Sequence, residues 1–235
     1  MGPAATADFY AKLIRRTPAT RDQDHLRVAI WADPTVPDRV AGVIDGSSQP
    51  YPAMLAGALR LRDLGATLVA MPCHTAHVFL PELRADTGLR FLDMVEETLT
   101  ELAGRPGSGG AVGLFGSRGL VHSGLYQDRL GRAQLDVAVP AEPTQELVDL
   151  AIRQVKLGDA HAGAEHLRRA AHAMAEIGVS RIVLACTELP LAAACLPSGE
   201  PGELLDPTDL LAAAVVRECL SHETSDAIAA IPRTS

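Results

Sequence analysis

Two short stretches concentrate the reactive side chains of this 235-residue chain. The first is Leu68-Val69-Ala70-Met71-Pro72-Cys73-His74-Thr75-Ala76-His77, and the second is Arg181-Ile182-Val183-Leu184-Ala185-Cys186-Thr187-Glu188-Leu189-Pro190. Each is an apolar run that delivers a cysteine, with threonine close behind. A cysteine titrates near pH 8.5 and is readily shifted by its surroundings, so a pair of them suits proton transfer. One would act as a thiolate that takes a proton and the other as a thiol that gives one back from the opposite face, with inversion at carbon as the outcome. Three other readings stand beside this one. Strand-end cysteines can be small buried hydrophobes. They can form a disulfide. They can ligate zinc with His74 and His77, although no second Cys or His cluster completes such a site near Cys186. No Gly-x-Gly-x-x-Gly unit or phosphate-binding lysine motif accompanies the cysteines, so no cofactor is expected.

The elements that must position these residues follow from pattern. Helices are expected over Asp8–Arg16 (with Thr6 as N-cap), Tyr51–Leu64, His77–Leu83, Asp93–Ala103, Val121–Gly131, Gln145–Lys156 and Ala160–Ile177, with a last one after Pro207 that runs through Leu220. Strands are expected over Leu26–Ala32, Thr67–Met71, Leu89–Leu92, Ala111–Phe115, Asp136–Val139 and Ile182–Ala185. This alternation is that of an α/β protein with largely parallel sheets. The Gly- and Pro-rich stretch Gly104–Gly110 divides it. We expect two similar three-layer α/β domains facing each other across a cleft, residues 1–103 with 208–221 and residues 108–203, with 222–235 as a tail. Ligands of open α/β sheets lie beyond the carboxyl ends of the strands, which places both cysteine loops at the cleft.

Composition narrows the partners. The formal charge is −8, which disfavours nucleic acid. No apolar run reaches the length of a membrane span, and the first residues lack the pattern of a signal peptide. Four cysteines without a Cys-x-x-Cys pair suit reduced thiols and a cytoplasmic protein.

The order and content of several segments resemble the aspartate/glutamate racemase family. They are Met1–Thr6, Pro37-Asp38-Arg39, Pro72–His77, Ser117–Tyr126, Lys156-Leu157-Gly158 and Leu184–Pro190. The resemblance implies pyridoxal-independent racemisation of aspartate or glutamate, with Cys73 and Cys186 as the acid–base pair, and a homodimer. It implies that Thr75 and Thr187 hold the α-carboxylate, with Ser117 offering a further hydroxyl. It implies that Arg39 and Lys156 recognise the acidic side chain and that Glu188 orients the ammonium. His74 stands where the family usually has asparagine; it can donate a hydrogen bond, and it can also charge and perturb Cys73. Leu120 stands in place of a threonine, and Asp33 in place of an asparagine, where its charge could oppose an acidic substrate. In the family an apolar strand precedes the turn that Met1 occupies here, so a strand of the first domain is expected to be missing. A related dicarboxylate isomerase or decarboxylase, and a non-catalytic binder of an acidic metabolite, are the alternative functions.

Overall fold

A computed structural model describes residues 2–104, 110–197 and 202–229, with side chains as far as Ser221. In chain order its elements are α1 (Pro3–Arg16), α2 (Arg39–Ile44), α3 (Pro50–Asp63), β1 (Leu68–Val69), a 3-10 turn (Thr75–Phe79), α4 (Leu80–Thr87), β2 (Arg90–Phe91), α5 (Met94–Ala103) and β3 (Val112–Gly116). There follow α6 (Arg118–Ser123), α7 (Leu125–Arg132), β4 (Val137–Ala138), α8 (Glu142–Lys156), α9 (Ala160–Glu176), β5 (Arg181–Ala185), α10 (Leu189–Ala193), β6 (Glu203–Leu205) and α11 (Pro207–Ala229).

The strands form two sheets, both parallel throughout. One pairs β1 with β2; the other has the order β4-β3-β5-β6. The inner strands β3 and β5 are apolar at nearly every position and almost fully buried, as strands covered on both faces must be. Alternate side chains point to opposite faces. Val112, Leu114, Val183 and Ala185 pack with residues of α5, α7 and α11. Phe115, Ile182 and Leu184 pack with α8, α9 and α10. The four-stranded sheet is thus sandwiched between helical layers. A third cluster joins β1 and β2 to α3 and α4 through Val69, Phe91, Met54, Ala58, Leu80 and Leu83. The expected domain linker includes residues 105–109, which lie outside the described residues. Helix α5, just before it, contributes Met94, Val95, Leu99 and Leu102 to the same cluster as Leu114 and Val183.

Three expectations are corrected. Leu26–Ala32 is not a strand, because among the described residues no neighbouring strand offers it backbone partners. Its Val28, Ile30 and Trp31 are left 43%, 49% and 43% exposed. Helix α11 runs on to Ala229, through much of the stretch expected to be a tail. The N-cap of α1 is Gly2, while Thr6 sits inside the helix and donates back to the Gly2 carbonyl at 3.1 Å. Helix α2 has no counterpart among the expected elements; Asp38 caps it by accepting from the Val40 N–H.

Candidate active site

The loop after β1 is braced from behind. The Cys73 N–H donates to the Met71 carbonyl at 2.8 Å. The carbonyl of Cys73 accepts from His77 Nδ1 at 2.9 Å, and His77 Nε2 accepts from the Met94 N–H at 3.2 Å. Only the neutral imidazole with its proton on Nδ1 satisfies both bonds. His77 is fully buried, and this burial lowers its pKa and favours that form. The ring thus ties the Cys73 loop to the start of α5. That start is itself fixed by Asp93, which accepts from the Val95 N–H and pairs with Arg129 at 2.7 Å.

His74 has its polar partner outside the loop. Its Nδ1 lies 2.9 Å from the Tyr126 hydroxyl, inside a buried contact, and its Nε2 has no partner. Burial pushes its imidazole well below the ordinary value. The expectation that His74 would charge beside Cys73 is therefore corrected: a 2% exposed ring with no acid beside it stays neutral.

The second loop grows directly from β5. Ala185 is paired with Gly116 of β3, so Cys186 and Ser117 leave adjacent strands at the same level. Ser117 accepts from the Leu120 N–H and caps α6. Its Oγ also lies 3.3 Å from the Thr75 Oγ1. This pair of hydroxyls joins the Cys73 loop to the turn between β3 and α6, and β3 is the strand beside β5. The Cys186 thiol donates to Glu188 Oε2 at 3.1 Å, and the Thr187 hydroxyl approaches the same oxygen at 3.4 Å. Desolvation, then the charge and the acceptor of Glu188, hold the Cys186 thiol well above its ordinary value, while the positive charge of Lys156 pulls the other way.

Two cations were expected to recognise an acidic side chain. Arg39, the first residue of α2, donates through Nη1 to the carbonyls of Val36 at 3.0 Å and Pro37 at 3.1 Å. Its Nε is buried without a partner, and it has no carboxylate in ion-pair reach among the described residues. It is a cation anchored by backbone and left uncompensated. Helix α2 packs against α6, where Gly119 lets the backbone of Val40 come close: a Cβ at Gly119 would stand 2.8 Å from Val40 Cα. That contact seats α2, with Arg39 as its first residue, against α6. Lys156, at the end of α8, is exposed and has no ion pair among the described residues. By contrast, Arg118 is committed to Glu142 and Asp149. The Leu120 side chain is fully buried in the core, and only its backbone N–H, donated to Ser117, reaches the polar cluster. Asp33 accepts from the Thr35 N–H and hydroxyl, so its carboxylate serves a local turn.

Among the described residues no group of three His, Cys, Asp or Glu side chains can hold a metal, and none of the four cysteines is joined in a disulfide. Sequence reasoning gave no role to Tyr126, Asp93 or Arg129, and it considered His77 only as a zinc ligand. The signal for His77 was present: a residue one helical turn beyond Cys73 is placed to reach back to its carbonyl.

Residues 1–215 match the model of the family described as Asp/Glu/Hydantoin racemase. The chain is 26% identical over 228 residues to the broad specificity amino-acid racemase RacX of Bacillus subtilis (strain 168), covering 95% of this chain and 97% of that protein. Among solved structures it is similar to an aspartate racemase from Picrophilus torridus, with a TM-score of 0.79, 29% identity, and coverage of 92% of this chain and 90% of that one. It also shares the fold of an aspartate racemase homologue from Pyrococcus horikoshii OT3, at a TM-score of 0.71 and 20% identity over 93% of this chain and 95% of that one. The braced cysteine loops, the parallel sheets that carry them and these matches along nearly the whole chain agree: it belongs to the Asp/Glu/hydantoin racemase family.

Proposed function

We propose that this protein racemises an acidic amino acid by proton transfer between two thiols. The observation that carries the reading is the Cys186 thiol bonded to Glu188 at the end of β5, the strand beside the one that leads to Ser117, whose hydroxyl approaches Thr75 of the Cys73 loop. A thiol kept protonated is a proton donor. Cys73 as thiolate takes the Cα proton of the substrate, and Cys186 gives its own proton to the opposite face of the carbanion. Cys73 then carries the proton and Cys186 the negative charge, and the reverse turnover restores the starting state. The hydroxyls of Thr75, Thr187 and Ser117 and the backbone N–H groups near them bind the α-carboxylate. They stabilise the charge that spreads into it as the proton leaves. Glu188 faces the ammonium. Arg39, uncompensated by any protein carboxylate in the described residues, takes the side-chain carboxylate through its fork of donors, and Lys156 adds positive charge at longer range. His74 supports the Cys73 loop through Tyr126.

The matched relatives, an amino-acid racemase of broad specificity and an aspartate racemase, support this class of reaction. Arg39 favours aspartate or glutamate over neutral amino acids. We take the working assembly to be a homodimer in the cytoplasm, as the family resemblance and the reduced cysteines suggest.

The test is exchange of the Cα hydrogen in deuterated water, followed by mass spectrometry and chiral chromatography. Aspartate or glutamate should gain one deuterium and lose optical purity. Cys73→Ser and Cys186→Ser should each reduce racemisation by at least about a thousandfold. Undiminished turnover in either variant, or no exchange with any acidic amino acid, would sink the two-thiol reading.

A further inference from the structure

Helix α8 turns three polar residues, Glu142, Gln145 and Asp149, toward the turn between β3 and α6. Their spacing of three and then four puts them in one stripe along the helix. Gln145 donates through Nε2 to the Gly116 carbonyl at 3.0 Å and to Asp149 Oδ1 at 2.9 Å. Asp149 Oδ2 accepts from Arg118 Nε at 2.6 Å, and Arg118 also bonds Glu142 at 2.7 and 3.1 Å. Gly116, Ser117 and Arg118 are consecutive, so α8 grips the chain on each side of Ser117. The two grips differ in strength. Arg118 is exposed, and ion pairs in water contribute little. Gln145 is 6% exposed, and its bond to Gly116 is buried.

That buried bond stands where the sheet runs out. Strand β4 ends at Ala138, opposite Gly113, while β3 continues to Gly116. Val112 bonds toward β4, its N–H donating to the Asp136 carbonyl at 2.8 Å. Alternate residues of a parallel strand bond to the same side, so the Gly116 carbonyl faces the edge where β4 has ended. Gln145 supplies the donor that a longer β4 would supply. Gly116 has no side chain to be held by, and a Cβ there would stand 2.9 Å from Leu120 Cδ2, so the carbonyl is the handle. The chemistry of the amide fits this use. A carbonyl and a carboxylate only accept, so both must face the NH2 group, and the orientation of the amide is fixed. Oε1 is then left buried without a partner. An orphaned buried acceptor is costly, and methionine or leucine would fill the space without it. Packing alone does not call for a glutamine here; two donors on one nitrogen do.

We propose that Gln145 is a positioning residue for the reaction. Its amide sets the level of the Gly116 carbonyl, and with it the place of Ser117, whose hydroxyl lies 3.3 Å from Thr75 Oγ1. Gly116 also pairs with Ala185, the residue before Cys186, so the same handle bears on the ends of β3 and β5. The inference rests on the reading that the Ser117 and Thr75 hydroxyls receive the α-carboxylate. Gln145 itself touches no substrate and acts through Ser117.

The experiment uses the full chain and five variants: Gln145→Met, Asp149→Ala, Ser117→Ala, the Gln145→Met/Ser117→Ala double, and Val148→Ala, which loosens the core face of the same helix. Two quantities are measured. One is KM and kcat for racemisation of aspartate and glutamate. The other is amide exchange at Leu120 and Val121, whose N–H groups bond the Ser117 hydroxyl and carbonyl. Temperatures are set equally far below each Tm, so that lost stability moves all variants alike. Gln145→Met should raise KM about tenfold with a change in kcat within about threefold, and speed that exchange about tenfold beyond Val148→Ala. Asp149→Ala, at a position with 33% of its side chain exposed, removes one of the two acceptors that orient the amide and should give the same pattern at about threefold. The double variant should bind substrate no more weakly than Ser117→Ala alone, because both changes act through one hydroxyl. KM effects that multiply in the double variant overturn the proposal, and so does exchange equal to that of Val148→Ala. Should Gln145→Met fail to fold, Asp149→Ala decides by the same two readouts. A wild-type chain that turns over neither amino acid overturns the reading of the reaction, and the exchange comparison, which needs no turnover, then decides by itself whether Gln145 fixes the turn.

Discussion

The residues around the two cysteines differ in kind. Cys186 is coupled to a charge, Cys73 to a scaffold. Replacing Glu188 with Gln removes the negative charge that helps keep the Cys186 thiol protonated. Cys186 should then alkylate with iodoacetamide at lower pH, several-fold faster at pH 8, and peptide mass spectrometry would follow it. His77 tests the scaffold. His77→Phe leaves the Cys73 carbonyl and the Met94 N–H without the imidazole between them, at a cost of about 2–4 kcal/mol in urea unfolding and a lower kcat. His77→Gln, which presents a donor and an acceptor on one side chain, should recover much of both. The two buried histidines also set a pH dependence. Both have folded-state pKa values below the unfolded value of about 6.5, so the unfolded chain takes protons first. Stability is full above about pH 6.5 and falls as the pH drops toward the depressed values. The fall between pH 7 and 5 should be shallower in His74→Asn. At this scale the sequence showed the cysteines and their threonines plainly, because a reactive residue at a strand end has a local signature. The direction in which His74 points was illegible, since it depends on Tyr126, which lies 52 positions away.

Elements hold these residues by a few close contacts. The α2–α6 contact depends on Gly119, whose missing side chain lets Val40 approach. Gly119→Ala should push α2 outward and carry Arg39 with it. The expected result is a several-fold higher KM for an acidic substrate with a smaller change in kcat, read by steady-state kinetics. Asp93 caps α5 and pairs with Arg129 in a largely buried setting. Asp93→Ala should cost about 2–4 kcal/mol by urea unfolding, combining a lost cap with a stranded cation. Helices and inner strands were readable where one periodicity ran long enough, as in α8, α9 and β5. Helix α2 was not: six residues after two prolines carry too short a pattern. Leu26–Ala32 reads as a strand by composition, and composition does not report whether a partner strand is there to bond with it.

At the scale of the whole molecule, α11 joins regions far apart in sequence. Its Arg217 bonds Glu97 of α5, its Asp209 pairs with Arg16 of α1, and Leu211 and Ala214 pack in the cluster shared by β3 and β5. Helix α11 thereby bonds to α1 and α5, which precede the glycine-rich stretch, and packs with β3 and β5, which follow it. The strand order β4-β3-β5-β6 has a further consequence for how the protein is made. Strand β3 leaves the ribosome before β5, its neighbour along five residue pairs, and both α8 and α9 are synthesised in between. Domains form as their chain emerges, and an unpaired apolar strand is a site for wrong pairing while it waits. A nascent chain stopped short of Arg181 should keep β3 open on one edge and recruit a holding chaperone, and release of the chain through α11 should end that association.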